Sequence, residues 1–454
     1  MAGTVIAAGV EPIRGVRCPL VMRRTVAARH MRAHTLFLAG LALLAASCSG
    51  DDQPSSSSSA PTTTPAASTS APTTAPTTAP AATTVPTTAA PVTTGPGEAL
   101  AAEFAPRLDE ALAAEFAASP ELQGYVVLLR ADNGFAYTGA AGDAAADSSF
   151  RIASVTKMFT SAATLRLVEQ GRFGLDDPIA ELVEPETVAL LESGGYDPSV
   201  ITVRHLLTHT AGLFDFTFGP GVDFVGTVFA DPQRRWTRRE QLELAMQGEP
   251  VGALGAQYHY SDTAYALLGE IVERATSATL GAAMRDLLRF DSLGITHTYQ
   301  ESIDPEPDGQ PPRLHQWFGD VDTYDWDPSL DLYGGGGLVS TTTDLATFVE
   351  ALLGGRVFDE RATLEAMLSV PATNESVSVP GDPAILAAAA GIFRQEVAGV
   401  ECWGHEGFWG VQVLRCPDLG LTLVASFSQA TPPPSFTGAT LGAVVLDLFA
   451  ALDA

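Results

Sequence analysis

Lysine occurs once in this 454-residue chain, at Lys157, while the other 24 basic side chains are arginine. It lies in FRIASVTKMFT (150–160), three residues after Ser154. On a helix, residues at i and i+3 share a face, so the hydroxyl and the amine come within reach of each other. Val155, Met158, Phe159, Ala162, Ala163 and Leu165 surround them with apolar side chains, which predicts a buried helix from Ser154 to Gln170, stopped by Gly171. A buried amine can give up its proton and a guanidinium cannot, so only lysine could serve as a neutral base here. Serine is a weak nucleophile until a neighbour removes its proton, and Ser154 with Lys157 is such a pair. The same residues also fit a structural role, Ser154 capping the helix and Lys157 snorkelling from its edge. The pair acquires catalytic meaning only with partners.

Candidate partners follow in order along the chain. They are GRFGLDDPI (171–179), VRHLLTHTAGL (203–213), GAQYHYSDTAYALLGEIVE (255–273), YGGGGLVSTTTDLATF (333–348) and GHEGFWG (404–410). Jointly with FRIASVTK, this series resembles the serine hydrolases that include class C β-lactamases, D-alanyl-D-alanine carboxypeptidases, related esterases and D-aminopeptidases. The resemblance implies that Ser154 accepts the acyl group, with Lys157 handling its proton. Tyr260 takes the place of the tyrosine thought to act with the lysine as base and then to protonate the leaving group. His405, in His-x-Gly where other members have Lys-Thr-Gly, would contact a substrate carboxylate or assist that tyrosine. The N–H groups of Ser154 and of Phe408, which follows the motif glycine Gly407, would form the oxyanion hole. Outside that context Tyr260 and His405 read as core packing. Asp262 departs from the pattern, which has Asn. A carboxylate only accepts hydrogen bonds, and beside Lys157 it favours the charged amine. It would either receive an ammonium or hydroxyl of the substrate, or fix Lys157 charged while Tyr260 acts as base. Ser261-Asp262-Thr263 as a Ser-Asp-Asn variant fits the flanking residues less well. The implied activity is acyl transfer to water from D-Ala-D-Ala-type peptides, D-amino-acid amides, β-lactams or small esters, without a cofactor. The alternative is a catalytically silent module that senses cell-wall fragments through the same cleft.

The elements that must position these residues read as an α/β (α+β) fold of the β-lactamase/transpeptidase type, with an antiparallel sheet built from both ends of the domain. Strand signals open the domain with Gly124–Arg130, an Asn-Gly turn and a second strand to Gly142. Short β-rich runs from Glu401 to Ser428 close it, followed by a helix from Gly438. Between them the pattern is helical at 203–209, 238–246, 263–275, 280–289 and 343–353. Cys402 and Cys416 are symmetric about Trp409, so a hairpin turning at Phe408–Gly410 places them opposite each other and predicts a disulfide. Two buried free thiols are the other outcome.

Ahead of the domain, expected over 98–454, arginines at 23, 24, 29 and 32 precede the apolar run Leu36–Ala46 and AASC. That run is too short to span a bilayer, and with Cys48 it reads as a signal peptide (1–48) ending in a lipobox, with Ala45 where Leu is preferred. Residues 49–97, almost wholly Ser, Thr, Pro and Ala, read as a tether that cannot bury a core. The expected location is extracytoplasmic, on a membrane through a lipid on Cys48 or else secreted. A net charge of −28 argues against nucleic acid as a partner. HLLTH (205–209) has zinc-helix spacing without the glutamate of HExxH, GGGG (334–337) lacks the Lys-Ser/Thr of a phosphate loop, and no GxSxG elbow is present. DVDTYDWDPSLD (320–331) lacks calcium-loop spacing and reads as a solvated loop near the site entrance.

Overall fold

The strands are β1 (Gly124–Ala131), β2 (Ala136–Gly142), β3 (Ser149–Arg151), β4 (Tyr299–Gln300), β5 (Trp317–Phe318), β6 (Val321–Asp322) and β7 (Leu338–Thr341), then β8 (Ile385–Ala388), β9 (Phe393–Val397), β10 (Val400–Gly407), β11 (Val411–Cys416) and β12 (Leu421–Phe427). The computed structural model describes residues 95–377, 385–430 and 439–453. Cys48, the signal segment and the tether up to residue 94 lie outside them. Seven strands form the main antiparallel sheet in the order β2-β1-β12-β11-β10-β9-β8. Its two halves join where β1 pairs with β12, Tyr125 opposite Phe427 and Ala131 opposite Leu421. The expected sheet from both ends of the domain is therefore present.

Side chains alternate across a strand, and here both faces are buried. Tyr125, Val127 and Leu129 of β1 join Leu423 and Ala425 of β12 in a cluster with Leu108 of α1 (Pro96–Ala118) and Leu448 of the C-terminal helix Ala439–Leu452. Val126, Leu128 and Val424 face the other way, toward α2 (Thr156–Glu169) and the helices Asp262–Thr276 and Thr342–Leu353. The described domain thus opens with a helix, and the expectation that strands open it is corrected. Pro106 lies inside α1, and a proline within a helical pattern reads as a break.

β10 and β11 form the expected hairpin. Their register sets Trp403 opposite Arg415, so the next pair outward is Cys402 and Cys416, which form a disulfide with Cα atoms 4.1 Å apart. A second sheet, β3-β7-β4, sets Ser149 opposite Thr341 and Arg151 opposite Val339. It delivers both the turn after β3 and the glycine run before β7 to the same place.

Candidate active site

Between β3 and α2 a single 3-10 turn, Ala153–Val155, carries Ser154. Ser154 thus precedes the helix it was expected to begin. Ala153 has φ 43°, a left-handed conformation costly for a residue with a Cβ, and such outliers gather where a site holds its backbone under constraint. Gly407 of β10 packs onto this turn. A Cβ there would lie 2.3 Å from the Ile152 carbonyl oxygen, so only glycine permits the approach.

Lys157, one turn into the helical segment, is fully buried. Its Nζ lies 3.0 Å from Ser154 Oγ, 2.7 Å from the Gly335 carbonyl oxygen and 2.5 Å from Asp262 Oδ1. These three acceptors match the three donors of an ammonium. The glycine run is gripped a second time where Thr160 Oγ1 donates to the Gly334 carbonyl. Tyr260 donates its hydroxyl to Ser154 Oγ at 2.8 Å. The nucleophile therefore has Lys157 on one side and Tyr260 on the other.

Asp262 begins the helix Asp262–Thr276, where a negative charge suits the dipole. Of the two roles open to it from sequence, the geometry has the carboxylate committed to Lys157. Ser261 is turned away toward the Phe214 carbonyl, which leaves the Ser-Asp-Asn alignment without a hydroxyl at the nucleophile.

Two residues escaped the sequence reading as parts of the site, and a third, Asp331, ends a segment expected only near its entrance. His209, also left-handed at φ 55°, stacks on the Tyr260 ring at 4.6 Å and accepts the Ser261 N–H at Nδ1. Burial, and then the Lys157 charge, hold it well below its ordinary range, so it is a neutral brace for Tyr260. Asp215 accepts the N–H groups of Asp262 and Phe218, and burial with the Asp262 charge pushes its carboxyl up to about 7. Asp331 lines the cleft beside Ser154 and Asp262.

The resting charge distribution narrows the roles. Burial, then Asp262, raise the Tyr260 phenol well above its usual range, so it rests protonated. His405 is buried, tilted against Phe393 at 4.5 Å, and brought down to about 3 by burial and then by Lys157. A carbonyl oxygen only accepts, so Nδ1 donates to the Glu406 carbonyl at 2.6 Å and Nε2 keeps a lone pair. In that state Nε2 cannot donate to a substrate carboxylate. Of the two roles expected of His405, this resting state suits assistance to the tyrosine, because a neutral Nε2 accepts rather than donates.

Ser154 opens into a narrow cleft, whose walls include Phe218, Phe229, Phe318, Trp326, Phe408 and Trp409. Phe408, expected to supply an oxyanion N–H, thus shares the cleft with Ser154. The segment 320–331, expected to be a solvated loop near the site entrance, lies at the cleft, where Trp326, Leu330 and Asp331 form part of one wall while Asp320 and Val321 are exposed. Arg151 donates to the carbonyl oxygens of Thr323 and Trp326 and pairs with Glu301, while the Gln316 side chain closes both backbone hydrogen bonds of Arg151. No group of His, Cys, Asp or Glu able to hold a metal is found among the described residues.

A family model described as Beta-lactamase matches residues 110–446. Esterase EstB of Burkholderia gladioli is 35% identical over 194 residues, covering 41% of this chain and 48% of the esterase. The D-alanyl-D-alanine-carboxypeptidase/endopeptidase AmpH of Escherichia coli is 28% identical over 207 residues, 46% of this chain and 49% of that protein. The chain spans about half the length of the curated relatives it matches. Among solved structures, a D-stereospecific amidohydrolase from Streptomyces sp. superposes with a TM-score of 0.63 at 26% identity, over 76% of this chain and 97% of that one. The D-amino acid amidase of Ochrobactrum anthropi SV3 shares the fold, with a TM-score of 0.59 at 23% identity over 77% of this chain and 99% of that one.

Proposed function

The chain belongs to the β-lactamase family, and from that premise we propose that it hydrolyses amides or esters through an acyl-enzyme on Ser154. The observation that carries this is the contact chain Tyr260–Ser154–Lys157, with links of 2.8 and 3.0 Å, at the edge of an apolar cleft. His405 is neutral, so it is no second cation to draw the proton off Tyr260. The base is then Lys157 rather than Tyr260, a departure from the expectation that pairing with Asp262 leaves the base role to the tyrosine, because Asp262 can also take the ammonium proton. It passes a proton to Asp262 across their 2.5 Å contact and receives the Ser154 proton as Oγ attacks the carbonyl carbon. The N–H groups of Ser154 and Phe408 take the oxyanion, each worth about 3 kcal/mol. Tyr260 protonates the leaving amine or alcohol. In the second half Tyr260 takes a proton from water, hydroxide attacks the ester, and Lys157 returns its proton to Ser154 Oγ and recovers one from Asp262.

A fluorophosphonate probe should label wild type and not Ser154→Ala. A panel of D-Ala-D-Ala peptide, D-amino-acid amide, nitrocefin-type lactam and nitrophenyl ester then reports the leaving group preferred. Labelling that survives Ser154→Ala refutes the nucleophile, and labelling without turnover of any substrate favours a sensor over an enzyme.

The same proposal extends to location: export, with the mature chain held to a membrane through a lipid on Cys48. The arginines, the apolar run Leu36–Ala46 and AASC support it. Cys48→Ser should move the protein from the detergent phase to the aqueous phase in Triton X-114 partition, and an unchanged distribution would refute the anchor.

A further inference from the structure

Four carboxylate and amine groups gather around the nucleophile, and their charges do not cancel. Lys157 is matched by Asp262 at 2.5 Å. Asp215 is enclosed and accepts backbone N–H groups. Asp331 is different. Among the described residues nothing donates a hydrogen bond to its carboxylate. The nearby Arg151 has its guanidinium committed to Glu301 and two carbonyls. Yet the chain makes room for this group. A Cβ on Gly336 would stand 2.1 Å from Asp331 Oδ1, and Gly336 is not among the glycines with positive φ, so a side chain there would displace this carboxylate. Burial, and then the neighbouring Asp262 charge, push the Asp331 carboxyl up to about 7, outweighing the opposing charges of Lys157 and Arg151.

Asp331 also lies in the wall of the cleft that Ser154 opens into, among aromatic side chains. A substrate that fits this wall offers an apolar body to the rings and a cation to the carboxylate. We propose that Asp331 is a specificity-determining residue that receives the ammonium group of the substrate, so that the preferred substrates are amides or esters of acyl groups carrying both a free amine and a large apolar side chain. The proposal rests on the hydrolase reading above and narrows it. Asp262, held by Lys157, is not needed for this recognition.

The test compares the nitrophenyl ester of phenylalanine, in each hand, with that of 3-phenylpropionic acid, which lacks only the amine. A charge-assisted hydrogen bond of about 1.5 to 3 kcal/mol makes the amine ester the better substrate by about tenfold or more in kcat/KM, expressed chiefly in KM. In Asp331→Asn that ratio should fall by about tenfold, while Asp331→Glu should restore part of it. A ratio unchanged in Asp331→Asn overturns the proposal. A measurement on wild type alone guards against a misfolded variant. 2-Phenylethylamine should inhibit hydrolysis of the 3-phenylpropionyl ester about tenfold more tightly than 2-phenylethanol, and equal inhibition overturns the proposal as well. Failure of the hydrolase reading itself would look different, because no ester would then be turned over in a Ser154-dependent way.

Discussion

Strand β10 serves two interiors that follow different rules. On one face Cys402 joins Cys416, the helices α1 and Ala439–Leu452, and a cluster built from aliphatic and aromatic side chains. Three residues on, and on the opposite face, His405 and Gly407 border a region of buried charge, left-handed backbone and a cleft. The first interior is satisfied by burial alone. The second carries Lys157, Asp262, Asp215 and two neutral histidines, each of which costs stability unless a specific partner offsets it. One strand can join them because its side chains alternate, so a structural requirement and a chemical one sit side by side in sequence without touching.

Substitutions on the two faces should separate activity from stability. Ser154→Ala should lower kcat/KM by about a thousandfold or more with little change in melting temperature, and a loss smaller than tenfold would contradict the assigned nucleophile. Lys157→Arg keeps the charge facing Asp262 but cannot act as a base, and acylation rates should fall by about a hundredfold or more. Full acylation by that variant at neutral pH would remove Lys157 from the proton path. On the far face the converse holds. Cys402→Ser with Cys416→Ser opens a loop of 14 residues' separation and should cost about 3 kcal/mol in denaturant titration, with turnover per folded molecule retained. A loss of turnover in the folded double variant would show that the two interiors are coupled.

The smallest effect is a pH dependence of stability with two opposed parts. His405 titrates at about 3 in the fold against 6.5 ordinarily, so the folded state binds fewer protons than the unfolded chain between those values. Its contribution falls as pH drops through that window. Asp215 sits at about 7 against 3.8, binds more protons when folded, and contributes more as pH drops from 7 toward 4. From pH 6.5 to 4, His405→Asn should flatten the decline in melting temperature and Asp215→Asn should steepen it. Parallel curves for wild type and both variants would refute the assignment of these shifts.

What sequence disclosed follows the same division. Ser154 and Lys157 were legible because their partnership is local, three residues along one segment. Tyr260, Asp262 and Gly407 were legible through motif context. Asp215 was not, because it is one of 53 acidic residues and only burial distinguishes it, and Asp331 showed only as the end of an acidic segment near the site. His209 was noticed for metal-like spacing and dismissed, since stacking on Tyr260 leaves no trace in spacing. β1, β10, β11 and β12 announced themselves by alternation and turns. β8 and β9 did not, because AILAAAAGIF favours helix by composition and becomes strand only through tertiary pairing, β9 along β10 and β8 along β9.

Arg151 gives the cleft a history as well as a shape. A guanidinium at the end of β3, two residues before the turn that bears Ser154, ties down the wall that holds Trp326 and Asp331, alongside Arg313 on the Tyr324 carbonyl and Gln241 on the carbonyls of Ser329 and Leu330. That arrangement works as a hinge pin between a reaction and its clientele. Insertions, deletions and exchanges within 317–331 can alter what is admitted while the reacting groups keep their places, provided that Arg151 and its backbone carbonyl partners survive. Variation among natural relatives of this chain should therefore concentrate in that wall and spare its pin, and laboratory libraries aimed at new substrates have a bounded segment in which to search.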